Sequence, residues 1–248
     1  MEWTDDAIVL KARRHGESSA IVTLLTREHG RHAGLVPGGS GKRARGIYEP
    51  GNQVRVTWRA RLPEHLGHFA CELVAANAAR LLDDPLRLAA LASATAVAEA
   101  ALPEREPHPR TYVGLLGLVA DLTAAEGDTV AWAATYVRWE LDLLAELGFG
   151  LDLTECAATG SNDRLIYVSP KSGRAVSAAA GEPYRDRLLA LPPFLLGSGA
   201  ARLDEVLAGL TLTGHFLARD VFSHGAHAKT GQPAARTRLI DRLRRQEA

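Results

Sequence analysis

The spacing of the apolar residues changes near Asn77, and this constrains the fold more than any other feature of the chain. Before that point, apolar residues come in short β-branched runs broken by Gly and Pro, at 7–12, 20–26, 32–36, 53–61 and 66–75. Within 53–61 the alternation is strict: Val54, Val56 and Trp58 fall on one side, Arg55, Thr57, Arg59 and Arg61 on the other. A period of two describes a strand with one buried face and one solvated face, here a basic one. Five such runs predict a small antiparallel barrel over residues 1–78. After Asn77 the period becomes helical. Pro85 suits the first turn of a helix over 85–102, and two more are predicted over 110–126, stopped by Gly127, and 129–147, stopped by Gly148. The last of these is apolar on most sides, with Arg138, Glu140, Asp142 and Glu146 as a polar sliver, as expected at the centre of a bundle. Residues 149–180 lose periodicity around a hairpin-like stretch at 165–170, and helices resume over 184–191, 201–222 and 234–245. The expected class is α+β: a five-stranded barrel over 1–78 followed by a helical domain over 79–248.

With 46% hydrophobic residues the chain can bury a sizeable core. Charged residues or Gly interrupt every apolar run well short of the roughly 18–20 residues that span a bilayer. Glu2, Asp5 and Asp6 give an acidic start unlike a secretory signal. Two cysteines, Cys71 and Cys156, make no disulfide framework and predict a reducing, cytoplasmic setting. The net charge of zero conceals a division. Residues 11–61 hold eleven Lys and Arg against three acids, residues 219–248 seven against three, and residues 62–218 eleven against twenty. Basic ends around an acidic middle suit a polyanionic partner.

Chemical motifs are few. Gly38-Gly39-Ser40-Gly41-Lys42 lacks the upstream Gly of a phosphate-binding loop, since Val36 stands there, and Arg43 replaces the Ser or Thr that would hold magnesium. Gly39-Ser40-Gly41-Lys42-Arg43-Ala44 nominally fits a dinucleotide fingerprint, but Gly46 and Pro50-Gly51 predict that no helix follows it. His224-Gly225-Ala226-His227 has no acid or Cys nearby, and Cys156-Ala157-Ala158-Thr159 is a knuckle with its second thiolate replaced, so no metal is expected. Cys71 reads as a small core residue, and His215 as a structural helix histidine. Asp5-Asp6 and Asp83-Asp84 read as caps or turns at element ends. No nucleophile elbow or zincin motif is present, and no catalytic residue is assigned.

The basic barrel is what remains. Arg13, Arg14, Arg31, Lys42, Arg43, Arg45, Arg55, Arg59 and Arg61 are the candidates to line a nucleic-acid groove, where phosphate neutralisation releases counterions. Tyr48, at the base of the Gly- and Arg-rich loop, is the candidate stacking platform, while Trp58 has core parity.

In this order the pieces resemble the RecO family of bacterial DNA-repair recombination mediators. Asp6-Ala7-Ile8-Val9-Leu10, Gly16-Glu17-Ser18, Ile21-Val22-Thr23-Leu24-Leu25-Thr26 with Gly30, Glu49-Pro50-Gly51 and Val54-Arg55-Val56-Thr57-Trp58 resemble its N-terminal OB-fold. The 140–149 segment Glu-Leu-Asp-Leu-Leu-Ala-Glu-Leu-Gly-Phe, Cys156-Ala157-Ala158-Thr159-Gly160, residues 168–177 and Leu191-Pro192-Pro193-Phe194-Leu195 resemble its later helix and knuckle. The resemblance implies a five-stranded OB-fold barrel in a protein without turnover or cofactor. It would bind single- and double-stranded DNA, anneal complementary strands and help load recombinase onto strands coated by single-strand-binding protein. Its implied partners are RecR, in some bacteria RecF, and the acidic C-terminal tail of single-strand-binding protein, with no membrane; its implied place is the cytoplasmic nucleoid. The tail would lie in a groove of the helical domain, for which Arg138, Arg219 and Arg236 are the candidates. Many relatives carry four knuckle cysteines. Thr159, Ser177 and Ala180 stand at three of those positions here, which implies a zinc-less knuckle over 150–182 held by Leu165, Tyr167 and Val168. Two other classes fit the residues less fully: an RNA-binding OB module, and a small-molecule enzyme with a helical cap that would use the arginines for an anionic substrate.

Overall fold

A computed structural model of the chain describes residues 1–197, 199–223 and 231–247. The pair His224 and His227 lies outside the described residues, as does the side chain of Arg43. The chain divides into two compact units, one of Met1–Ala124 with Pro233–Leu239, the other of Ala125–Gln232 with Ile240–Ala248. The first helices after Asn77 therefore belong to the unit that carries the strands.

In the first unit, β1 (Glu2–His15), β2 (Ser19–Thr26), β3 (Arg31–Val36), β4 (Gln53–Arg59) and β5 (His68–Ala75) pair in the order β1-β2-β3-β5-β4, and β4 pairs back onto β1, so the sheet closes on itself. Only β3 and β5 run parallel, with Leu35 opposite His68. β1 is longer than its apolar run because its polar ends also pair: residues 2–8 face β4, and residues 11–15 face β2 beyond a register shift at Val9/Lys11. Asp5 and Asp6 thus lie within a strand, not at an element end.

The interior is built from the expected parity, with Ala7, Val9, Val22, Leu24, Val54, Val56, Trp58 and Phe69 all buried. Cys71 packs against this cluster, and burial pushes its thiol up to about 12. The Gly-rich loop is not irregular throughout. Lys42–Ile47 form a short helix, α1, where none was expected. Asn52 makes it tenable: this buried side chain donates to the carbonyls of Gly46 (2.9 Å) and Ile47 (3.2 Å) at the helix end, and accepts from Ala78 N (3.1 Å) at the start of α2 (Asn77–Arg80).

The other parity of β1 and β2 is also apolar, and α3 (Pro85–Ala101) packs over it, burying Ile8, Leu10 and Leu25. This is why 7–10 read as a continuous apolar run: both faces are covered. Gly51, at φ +89°, lies so close beneath α3 that a Cβ would stand 2.5 Å from the Leu91 side chain. Pro85 opens α3 as expected, with Asp84 capping Leu86 N (3.1 Å) and Arg87 N (3.0 Å). α4 (Pro109–Thr123) ends before the expected 126, because Arg80 and Arg87 take up the carbonyls of Thr123 (2.9 Å) and Ala124 (2.7 Å).

In the second unit, α5 (Thr129–Glu146) buries Trp132, Tyr136, Val137, Trp139, Leu143 and Leu144, and Gly148 follows it at φ +87°. Glu140 does not belong to a polar sliver. It is fully buried and accepts a 2.5 Å hydrogen bond from Thr213 Oγ1. A small sheet of order β7-β6-β8 joins β6 (Leu165–Val168), β7 (Ala175–Ser177) and β8 (Leu189–Ala190), with α6 (Ala178–Gly181) between the last two. The helix expected over 184–191 is instead a 3-10 segment, Glu182–Arg187, followed by β8. Residues 189–191 gain more by pairing with β6, as Leu191 N does with Ile166 O at 2.8 Å. α7 (Leu203–Phe216) packs on α5 where Gly209 lacks a side chain; a Cβ there would stand 2.8 Å from Val137 Cγ1. His215, on α7, holds the Pro170 carbonyl at 3.2 Å, consistent with its structural reading. α8 (Ala234–Glu247) ends the described chain.

Candidate nucleic-acid interface

The ten barrel residues nominated from sequence separate into distinct environments. On the outer face of β1 and β4, register sets Glu2 opposite Arg59, Thr4 opposite Thr57 and Asp6 opposite Arg55. Each pair is bonded: Arg59 Nη2 to Glu2 Oε1 at 2.8 Å, Thr4 to Thr57 at 3.0 Å, and Arg55 Nη2 to Asp6 Oδ1 at 2.8 Å. The Arg59 guanidinium holds the Glu2 carboxyl below its ordinary range. The basic face read from the alternation of β4 is therefore neutralised by the acidic start of the chain, and a ladder of exposed ion pairs replaces it. Arg31 is also engaged, through Nε to Leu102 O (2.7 Å) and Nη1 to Glu104 (3.4 Å).

Tyr48 is no open platform. It is 6% exposed and packs in the barrel core, and burial raises its pKa. The chain turns inward after α1, so the ring enters the apolar cluster instead of projecting from the loop. Trp58 is buried as its parity predicted, with Nε1 donating to Leu66 O at 3.1 Å.

Most of the exposed, unpaired cations among the nominated residues gather at the other end of β1. Arg13, Lys42 and Arg45 are exposed and form no ion pair among the described residues, and Arg61, on the β4–β5 connection, shares that condition. Arg14 is fixed by carbonyls alone, donating to Gly16 O (3.3 Å) and Glu17 O (2.8 Å), so its charge is oriented but not neutralised. Arg13, Arg14 and Arg45 meet around one cavity of about 230 Å³. Arg27, exposed just past β2, is a further cation without an ion pair among the described residues and was not singled out from the sequence.

Sequence reasoning missed Arg105. It lies far along the chain in the break before α4, with φ +62°, and its guanidinium donates to Pro63 O (2.5 Å) and His65 O (2.8 Å), fastening the connection that carries Arg61. Its positive φ follows from the fold, and no local signal announces it. A second missed feature is His32, 4% exposed with both ring nitrogens unpartnered, set edge-on to Trp3 and Trp58. Burial, with lesser contributions from Arg105 and His29, pushes it down to about 4.

In the second unit, Arg138 lies over the Phe194 ring at 5.2 Å and donates to Phe194 O at 3.3 Å. Arg219 stacks on Phe216 at 4.7 Å and bonds Asp220 and the Pro170 and Lys171 carbonyls. Arg236, in the first unit, is 2% exposed, so it cannot edge an open groove. An open groove of about 690 Å³ does exist in the second unit, between Leu153, Leu165, Pro193, Leu195 and Leu196, with Arg164 beside it.

The knuckle region brings three of its four positions together. Cys156 Sγ accepts from Ser177 N at 3.3 Å, and the neighbouring Ser177 hydroxyl, then that of Thr159, pull the thiol down to about 6. Ser177 Oγ in turn accepts from Ala180 N at 3.4 Å. Buried Leu165 and Val168 support the sheet beneath. One thiolate, two hydroxyls and the Ala180 methyl do not supply the soft donors of a structural zinc site, so the residues present do not fit that metal. Elemental analysis of the purified protein should return far less than one zinc per chain; stoichiometric zinc would overturn this reading.

Comparison with known proteins follows the same outline. Residues 1–76 match the family model described as Recombination protein O N terminal, and residues 82–227 the one described as Recombination protein O C terminal. The chain is 61% identical over 247 residues to the DNA repair protein RecO of Rhodospirillum centenum, covering 99% of this chain and 96% of that protein. It is 52% identical over 244 residues to the DNA repair protein RecO of Phenylobacterium zucineum, and 51% identical over 251 residues to that of Rhodospirillum rubrum, each match covering 98% of the relative.

Proposed function

Because this chain belongs to the RecO family of DNA repair proteins, we propose that its closed five-stranded sheet is an OB-fold that binds single- and double-stranded DNA and anneals complementary strands without turnover. The observation that carries this reading is the separation of cations on that sheet. Arg55 and Arg59 are paired with acids, while Arg13, Arg14, Lys42 and Arg45 concentrate unneutralised charge at one end. Phosphates drawn there would release their counterions, giving affinity without sequence preference. Two strands held at one basic surface feel less mutual repulsion and meet at a high effective concentration, so that pairing can nucleate.

The same reading gives the second unit a partner role. The acidic, apolar C-terminal tail of single-strand-binding protein suits the groove at Leu153, Leu165 and Leu195, with Arg164 to meet a carboxylate and Arg138 on the neighbouring Phe194. Arg219, tied to Asp220, and buried Arg236 drop out of that assignment. RecR, and RecF where it is present, would complete recombinase loading at the nucleoid. No helix among the described residues is long and apolar enough to cross a membrane.

A strand-annealing assay tests the proposal. The purified protein should accelerate pairing of complementary oligonucleotides without ATP, with and without the coat protein, and bind DNA strands at least as tightly as RNA strands of the same sequence. Strong RNA preference with no annealing would favour the RNA-binding alternative.

A further inference from the structure

The cavity at the basic end of the sheet has features that phosphate binding alone does not call for. It lies between the end of β1, the start of β2 and the Gly39-Ser40 turn, with Tyr48 following α1 as part of its wall. Its rim carries Arg13, Arg14 and Arg45 against a single carboxylate, Glu49, while Ala12, Ala20 and Pro50 make part of its wall apolar. A site for phosphate would need charge and donors but no apolar recess. At about 230 Å³ it falls below the roughly 300 Å³ at which pockets for drug-sized ligands begin, a scale that suits one flat heterocycle.

The walls are also held in place before any ligand arrives. Ser40 N donates to Ser18 O at 2.9 Å and Ser40 Oγ to Glu17 O at 3.3 Å, which fixes the turn against the β1–β2 connection. Arg14 is clamped by Gly16 O and Glu17 O, so the plane of its guanidinium is set, and such planes stack on bases. Tyr48 is held in the barrel core, 6% exposed.

Resting on the DNA-binding reading above, we propose that this cavity receives one unstacked base of a bound single strand, while the flanking phosphates lie on Arg13 and Arg45. The base enters a recess with a partly apolar wall beside a fixed guanidinium plane, and the backbone stays at the charged rim. A single strand can present a base this way at little cost, whereas a duplex must first break a pair and a stack. The site therefore distinguishes single strands from duplex without reading sequence, and holds a strand with its neighbouring bases free to pair.

The test fills the recess without touching charge. Ala12 is exposed on β1, where an aromatic residue suits a strand, so Ala12→Phe should fold as the wild type does. Ala12→Phe is expected to bind oligothymidylate about tenfold more weakly, the loss of one stacked base. Its duplex affinity should fall much less than its single-strand affinity. A second measurement needs no variant: an abasic oligomer of equal length should bind the wild type about tenfold more weakly than oligothymidylate. Unchanged single-strand affinity in Ala12→Phe, an equal loss for duplex, or indifference of the wild type to removal of the bases would overturn the inference while leaving DNA binding intact. A wild type that binds no DNA at all would remove both.

Discussion

Reversing Arg13, Lys42 and Arg45 to Glu should lower affinity for single-stranded DNA by about a hundredfold near physiological salt and abolish annealing. Every phosphate that a single strand no longer has neutralised takes about 0.7 off the slope of log affinity against log salt, so three of them should flatten that slope by roughly 2. The weakening should be uniform across sequences, because cations that meet phosphates position a strand and do not read its bases. The informative control is Arg55→Gln with Arg59→Gln. These two arginines were equal candidates in the sequence, yet each already has a carboxylate at 2.8 Å. Neutralising them should change binding much less. If the two sets of variants lose affinity equally, the assignment of the interface to the α1 end of the sheet is wrong.

The second large effect is on stability. His32 is enclosed by Trp3, Trp58 and Phe69 and has no hydrogen-bond partner for either ring nitrogen among the described residues; the charged or titratable neighbours acting on it are Arg105 and His29. In the folded protein it titrates at about 4, against 6.5 when unfolded. Between those values the unfolded chain binds the proton and the folded one does not. The stability conferred by a neutral His32 is thus complete above pH 6.5 and lost progressively as pH falls to about 4, a change of about 3 kcal/mol. Denaturant unfolding of wild type and His32→Phe at pH 7, 5.5 and 4 should show this decline in the wild type and a flatter dependence in the variant. Parallel curves would show that His32 does not carry the effect.

Much of the architecture was legible in the chain. The inward parity of Val54, Val56 and Trp58, the Pro85 start of α3 and the Gly148 stop of α5 each rest on local rules, and each is found where those rules place it. What was not legible depends on register or on distant neighbours. Nothing local in Glu2 or Asp6 says that they will stand opposite Arg59 and Arg55; that follows from β1 pairing with β4 across some fifty residues of chain. In the sequence the acidic start and the basic strand are separate features, although the fold sets them face to face. Tyr48 misled for a related reason: a tyrosine beside a basic Gly-rich loop has the composition of a stacking platform, but α1 turns the ring inward. Asn52, which supports α1, is an ordinary asparagine in the sequence. Glu140 read as solvated because its helical neighbours are charged, whereas its partner, Thr213, lies seventy-three residues away.

The most direct test of where this protein meets DNA is amide hydrogen exchange with and without a saturating short single strand. The expected result is slowed exchange at residues 12–14 and 39–48, with little change on the outward ladder of residues 2–6 and 55–59. Protection confined to that ladder, or found only in the second unit, would contradict it.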